Sequence, residues 1–287
     1  MKFLGTGAAE MYPNPYCGCE VCTRARQTGS DLRLRAAFMI DEANLIDFGQ
    51  DILAASTIYR APLDRVQNVF ITHTHDDHFS IPNIGAMTMA DKRRDCLPIR
   101  FYMSPEAAEW VRRYMEAVRP LYDETQGIER LLRQGRIELK PVEPYTWFEA
   151  GGMRVFCVKS NHRVNASERA LNYLFELKDG RRLLYAADTG LYGEENLNAL
   201  RDARADLVIM EGTFGSHILQ PGSAHLDASS YVKQLKAFLA RGVVTGQTVA
   251  YVTHINQINT FDRAQYQAYM DKNAPIAVRI ASDAEEI

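Results

Sequence analysis

Three of the chain's seven histidines fall within six positions, in Thr72-His73-Thr74-His75-Asp76-Asp77-His78. Composition alone does not explain that concentration. Imidazole and carboxylate are the usual ligands of zinc and similar divalent ions. The apolar run Val69-Phe70-Ile71 just before reads as a strand, so these side chains stand at a strand end. The stretch reads as half of a two-metal hydrolytic centre. Two ions about 3.5–4 Å apart lower the pKa of a bridging water and give hydroxide near neutral pH.

The other half must come from elsewhere in the chain. Three more apolar strands run into polar residues able to bind metal. Met153–Val158 leads to His162, Arg182–Ala186 leads to Asp188, and Val249–Val252 leads to His254. Strand ends on a shared sheet edge bring distant residues into one cleft, on loops held by a rigid scaffold. His73, His75, Asp77, His78, His162, Asp188 and His254 are enough side chains to fill two such sites.

A second group of soft ligands lies in Cys17-Gly18-Cys19-Glu20-Val21-Cys22. Structural zinc takes four ligands, and no fourth is evident locally. Cys96 and Cys157 are distant in sequence and read equally as small buried residues. The cluster is therefore either a metal knuckle or a set of free thiols in a surface loop. Five cysteines in a chain read as cytoplasmic do not suggest a disulfide framework.

The elements that must carry these residues alternate along the chain. Lys2-Phe3-Leu4 is a short strand entering the turn Gly5-Thr6-Gly7. A nucleotide-binding turn is not expected there, because a third glycine and a following helix are lacking. Residues 36–40 and 44–47 read as a hairpin around Asp41-Glu42-Ala43. Asp47 before Gly49 reads as a turn residue, or as a carboxylate that orients a neighbouring imidazole, a part for which Asp76 is also a candidate. Helices are expected over 51–60 and 85–90, and strands over 68–72 and 99–103. Ser104 and Pro105 open a helix as N-cap and first turn, and a second helical piece covers about 124–135. Strands return at 137–140 and 153–158. A hairpin through Asp179-Gly180 joins 171–177 to 182–186. Buried strands follow at 207–210 and 249–252, with a helix carrying Tyr231, Val232 and Leu235 between them. No repeat or Gly/Ser linker divides residues 1–287, so one domain is expected.

Composition bounds the partners. The chain is 46% hydrophobic and 24% charged, with a net charge of −3, so no bulk field recruits nucleic acid or anionic membrane. No apolar run approaches membrane-spanning length, and no secretory leader is evident, so a cytoplasmic protein is expected.

The motif His73-x-His75-x-Asp77-His78, followed in order by His162, Asp188 and His254, resembles the metallo-β-lactamase superfamily. Leu4-Gly5-Thr6-Gly7, Asp47-Phe48-Gly49 and Glu211-Gly212-Thr213 are similar to that superfamily as well. The CxCxxC insertion narrows the resemblance to PhnP-type phosphodiesterases, which act on cyclic phosphodiesters of ribose phosphate. The resemblance implies an αββα four-layer sandwich, here with a helical insertion around 104–136. It implies that His73, His75 and His162 hold one ion, that Asp77, His78 and His254 hold the other, and that Asp188 bridges them. It implies a catalytic part for Asp77 in this centre, and for His225 as general acid near the substrate phosphate. It also implies a third, structural zinc on Cys17, Cys19 and Cys22. One departure stands out: the closest pattern has a histidine three residues after the last metal histidine, completing the cysteine site, and this chain has Gln257 there.

The expected activity is hydrolysis of a small, cyclic nucleotide or ribose phosphate diester by a dinuclear centre of zinc or manganese. Both metals accept imidazole and carboxylate. Competing readings are a tRNA 3′-processing nuclease, a lactone or thioester hydrolase, and a non-catalytic PqqB-like protein. The first of these lacks a long basic, Gly-rich arm for tRNA. The helices of 104–136 are where a homodimer contact would be sought.

Overall fold

The computed structural model describes residues 1–86, 98–118 and 128–287. Thirteen strands among them form two sheets. The first runs in the order β1 (Lys2–Gly5), β2 (Ala37–Asp41), β3 (Asn44–Ile46), β4 (Asn68–Phe70), β5 (Ile99–Met103) and β6 (Ile137–Pro141). The second runs from β13 (Ala277–Ile280) through β12 (Val244–Thr253), β11 (Ala205–Glu211), β10 (Arg182–Ala186), β9 (Arg169–Glu176) and β8 (Met153–Arg163) to β7 (Trp147–Ala150).

Period-two alternation builds the layers. Phe38 and Ile40 of β2 face the second sheet, where they join Val155, Tyr173, Tyr185 and Ile209 in a buried inter-sheet core. Ala37 and Met39 of the same strand face the other way, toward α2 (Ile52–Ile58), α3 (Ile81–Gly85), α4 (Pro105–Val118) and α5 (Ile128–Arg133). In the second sheet Leu184, Ala186, Val208 and Met210 turn outward to α6 (Glu194–Ala199), α7 (Ala228–Ala240) and α8 (Arg263–Asn273). Helices, sheet, sheet and helices make the expected αββα sandwich.

Local chemistry explains most boundaries. Ser104 Oγ accepts from the Ala107 amide at 3.0 Å, as an N-cap should. Asp227 and Asp262 open α7 and α8 with reciprocal capping boxes. The 177–181 turn places Gly180 at φ 86°, a conformation glycine adopts without steric cost. Some details differ from the sequence reading, and some lie outside the described residues. The helix expected over 85–90 begins at Ile81, and residues 87–90 lie outside the described residues. Part of the 104–136 insertion, including the start of the 124–135 piece, also lies outside them. The strand of 153–158 continues to Arg163. Cys19 and Cys22 sit on a helix start, since α1 (Glu20–Thr28) takes Cys19 as its N-cap.

Directions matter most for the site. β3, β4 and β5 are mutually parallel, and so are β10, β11, β12 and β13. β8 runs the same way as β10, because each is antiparallel to β9. The sheets meet where the Leu171 amide donates to Thr72 O at 2.8 Å and Gly7 bridges Ile255. The carboxyl ends of β3, β4, β8, β10, β11 and β12 therefore open on one edge. No helix among the described residues is long and apolar enough to cross a membrane.

Candidate metal centre

The seven residues expected from sequence come together at that edge. His73, His75, His162 and Asp188 form one cluster and Asp77, His78 and His254 another, with the potential ligand atoms in each within 4.8 Å of one another. In the first, His75 Nδ1 lies 3.0 Å from His73 Nε2 and 3.3 Å from His162 Nε2. In the second, His78 Nε2 lies 3.3 Å from His254 Nε2 and 3.1 Å from Asp77 Oδ2. Asp188 divides its oxygens between them. Oδ2 is 3.5 Å from His73 Nε2 and 3.6 Å from His162 Nε2, while Oδ1 is 3.0 Å from His254 Nε2 and 3.4 Å from His78 Nε2.

These distances fit metal ions. Ligand atoms at 2.0–2.1 Å from a tetrahedral ion stand about 3.3 Å apart. Asp188 Oδ1 is buried without a hydrogen-bond partner, although two imidazole nitrogens stand close to it. A divalent cation would satisfy it.

The rings are held from behind. His78 Nδ1–H donates to Asp47 Oδ2 at 2.7 Å, and the Thr72 amide and hydroxyl donate to Asp47 Oδ1 at 2.8 and 2.9 Å. His73 Nδ1 is 3.1 Å from Thr72 Oγ1. His254 Nδ1 is 2.9 Å from Thr213 Oγ1, whose own proton goes to Glu211. Each anchored Nδ1 leaves Nε2 aimed at the centre. Of the two readings of Asp47, turn residue or orienting carboxylate, the structure favours the second. The neighbouring Asp76, also a candidate for orienting a ligand, is exposed.

Backbone shape aims the ligands too. Asp47, Asp188 and His254 all have left-handed φ, at 63°, 46° and 57°. Each follows a strand directly or by two residues, so the chain turns sharply and throws the side chain across the sheet edge. His162 instead lies within the last residues of β8, where register shifts against β9 between Lys159 and Arg163.

The field of the protein's own groups splits the histidines. Burial holds His162 down to about 4, and burial with neighbouring His78 holds His73 well below the usual value. Burial also opposes charge on His78 and His254, but nearby carboxylates outweigh it. Asp77, Asp188 and Asp47 hold His78 well above its ordinary value, and Asp188 with Asp77 raises His254 to about 10.

His225 stands beside both clusters. Its ring centroid is 4.8 Å from that of His162 and 6.1 Å from that of His254, the latter nearly parallel. Its Nδ1–H donates to Glu211 Oε1 at 2.8 Å. A ligand atom of His225 also lies within 4.8 Å of those of Asp188 and His254, so the geometry admits it as a metal ligand. Burial lowers the His225 pKa, but Glu211 outweighs it and brings the value to about 9.

The family comparison completes this picture. The family model described as "Beta-lactamase superfamily domain" matches residues 44–255, which include every histidine and aspartate of both clusters. The chain belongs to the metallo-β-lactamase superfamily. Its members' fold implies divalent metal ions at this edge and hydrolytic chemistry. Among solved structures, a diphosphatase from the PhnP family matches with a TM-score of 0.72 at 16% identity, covering 100% of this chain and 96% of that one. Zn²⁺-bound PqqB from Methylobacterium extorquens matches with a TM-score of 0.65 at 15% identity, covering 99% and 98%. The short form of human tRNase Z matches with a TM-score of 0.60 at 20% identity, covering 99% and 96%. At these identities the likeness is one of fold. Comparison with curated protein sequences gives no match.

Glu211, Thr213 and Glu168 were not singled out for the site from sequence. Glu211 is fully buried and gathers His225, Thr213 and the amides of Thr189 and Leu226. Its signal was present, since it ends an apolar strand just as the ligands do. Glu168, 1% exposed, accepts from the Thr74 amide at 2.9 Å and the Thr74 hydroxyl at 2.5 Å. It holds the residue between His73 and His75 from 94 positions away, which no local pattern reveals.

The three cysteine sulfurs also lie within 4.8 Å of one another. Cys22 is buried, Cys19 is exposed, and the Cys22 amide donates to Cys19 Sγ at 3.5 Å. Three sulfurs at this spacing can face one zinc ion, whose Zn–S bonds are about 2.3 Å. Gln257 Oε1 is buried without a hydrogen-bond partner.

Proposed function

We propose that this hydrolase is a phosphodiesterase acting on a small, cyclic nucleotide or ribose phosphate diester. The observation that carries the reading is an additional imidazole, His225, held by a buried carboxylate beside a pair of clusters that share Asp188. A phosphodiester needs a nucleophile on one side of phosphorus and a proton donor for the leaving oxygen on the other. The likeness of fold to a diphosphatase from the PhnP family supports the same choice.

His73, His75 and His162 would hold one ion, Asp77, His78 and His254 the second, and Asp188 both. The ions are zinc or manganese, and a third, zinc, would sit on Cys17, Cys19 and Cys22. When bound, the pair supplies Lewis acidity that activates water and offsets charge on the phosphoryl oxygens. The chain's own residues do the rest. Asp47, Thr72 and Thr213 fix the imidazoles so that little reorganisation accompanies reaction. Asp77 holds its place between His78 and His254. His225, fixed by Glu211, gives its proton to the leaving alkoxide and recovers it from solvent.

The test is a substrate panel with zinc and with manganese: bis-(p-nitrophenyl) phosphate, 2′,3′-cyclic nucleotides, ribose 1,2-cyclic phosphate, a lactone, a thioester and a precursor tRNA. Turnover of the small diesters is expected. Turnover of the carbonyl substrates alone, or of the tRNA alone, overturns the proposal. A purified chain that binds metals yet hydrolyses nothing points to a non-catalytic role instead.

A further inference from the structure

Aromatic rings lead outward from His225. The Phe214 ring centroid lies 5.8 Å from that of His225 with the planes at 55°, and 6.1 Å from that of His217 with the planes at 43°. Phe214 is half-buried and His217 is exposed. Next to His217 in the chain, Ile218 is 80% exposed, a large apolar side chain left in water.

The segment that carries these three side chains is firmly built. The His217 amide donates to Phe214 O at 2.8 Å, and the Leu219 amide donates to Asp227 Oδ2 at 2.7 Å. The Ser216 amide donates to Asn259 Oδ1 at 3.1 Å, and Ser216 Oγ lies 2.8 Å from the Thr260 hydroxyl and accepts from the Thr260 amide at the same distance. Gly215 has φ 44°, and a Cβ there would overlap Asn259. A backbone held in advance beneath an exposed apolar and aromatic surface lowers the ordering cost of binding.

We propose that Phe214 and His217, with Ile218 at the edge, form the platform on which a nucleobase of the substrate stacks. The inference rests on the phosphodiesterase reading and narrows it to base-bearing diesters over bare sugar phosphates. A half-buried ring beside His225 with an exposed ring next to it suits a substrate with a furanose between its phosphorus and a flat heterocycle. Stacking on aromatic side chains tolerates any base, because every base has a π-face. The platform therefore selects for a base without selecting which one.

Phe214→Leu, His217→Ala, their double variant and Phe214→Tyr test this. The readout is the ratio of kcat/KM for 2′,3′-cyclic AMP to that for ribose 1,2-cyclic phosphate, taken within each variant. The ratio is expected to fall roughly 5- to 100-fold in the double variant and to be kept by Phe214→Tyr. A ratio equal to the parent's in all variants overturns the platform. A second measurement separates this failure from that of the parent reading. Calorimetric titration of the metal-loaded protein with adenosine 5′-monophosphate and with ribose 5-phosphate needs no turnover. A preference for the nucleotide that Phe214→Leu removes supports the platform even if no diester is hydrolysed. Equal affinities in the parent overturn it even if diesters are.

Discussion

Asp47→Asn isolates the orienting carboxylate from the fold around it. Asparagine matches aspartate in size and tolerates the left-handed φ of 63° at this position. Its amide oxygen can keep the bonds from the Thr72 amide and hydroxyl. The other terminal atom becomes an NH₂ donor facing His78 Nδ1, where a carboxylate oxygen now accepts at 2.7 Å. Two donors cannot share that contact, so His78 must move its proton to Nε2, the nitrogen that faces Asp77, His254 and Asp188. An Nε2–H cannot ligate. Replacing such an outer partner typically costs roughly 10- to 100-fold in metal affinity. The loss should fall on one ion, because of His73, His75 and His162 only His73 is linked to this side chain, through Thr72, whose bonds the asparagine oxygen keeps. Competition against a chelator, with metal content read by mass spectrometry, should show one ion released far more readily than in the parent. Excess metal should restore most of the activity. If both ions resist the chelator as they do in the parent, Asp47 does not act through His78 and the orienting argument fails.

Other perturbations probe separate parts of the centre. His75→Ala removes the imidazole whose Nδ1 stands within 3.3 Å of both His73 Nε2 and His162 Nε2 and should abolish hydrolysis with loss of metal; full activity with full loading would sink the assignment. Glu211→Gln should slow turnover at least tenfold, because His225 loses a charged partner, and should also weaken the ion held by His254, because the Thr213 hydroxyl that anchors His254 bonds Glu211 as well; unchanged kcat in metal-saturated protein would remove His225 from proton transfer. Gly49→Ala puts a Cβ onto the Asp77 carbonyl oxygen and should lower thermal stability and metal content together, by about 2 kcal/mol or more in stability; a parent-like melting temperature would contradict the packing. Cys22→Ser should remove about one zinc per chain, in keeping with a single site shared by the three sulfurs, and leave the other ions; unchanged zinc content would mean that the cysteines are free thiols.

What could be read before folding followed from chemical rarity. Imidazoles are scarce, and each expected ligand histidine ends an apolar strand, so position and type pointed the same way. Aspartate before glycine is common in turns, so the sequence left Asp47 between a turn role and an orienting one. Only the fold shows that it is fully buried and reaches His78, 31 positions away. The end of β8 was hidden for a different reason. Lys159-Ser160-Asn161-His162 is polar and the register shifts there, so the alternation that announces a strand is lost. Even so, Asn161 is a working part: its Oδ1 accepts from the Gly190 amide at 2.6 Å, and its Nδ2 donates to Ser223 O at 3.0 Å. It ties the β8 end to the loop after Asp188 and to the loop before His225. Helix α8 buries only Tyr266 and Met270, too few for a clear apolar stripe, and its signal was the Asp262–Gln265 capping box.

The left-handed residues explain why this site needs two sheets. A non-glycine residue in that conformation costs on the order of 1–2 kcal/mol. Asp47, Asp188 and His254 together add up to a few kcal/mol of backbone strain, which surrounding bonds must hold. Here each is fixed from the opposite side of the cleft or from a neighbouring strand. Asp47 N donates to Phe70 O at 3.0 Å, Asp188 O accepts from Ser160 Oγ at 2.9 Å, and Ile255, next to His254, donates to Thr6 O at 3.0 Å. The last bond crosses from one sheet to the other. Ligands that converge from both sheets can meet only while the sheets stay closed. Metal binding and inter-sheet packing should therefore stabilise each other, since ions bound by the folded state alone raise its stability by mass action.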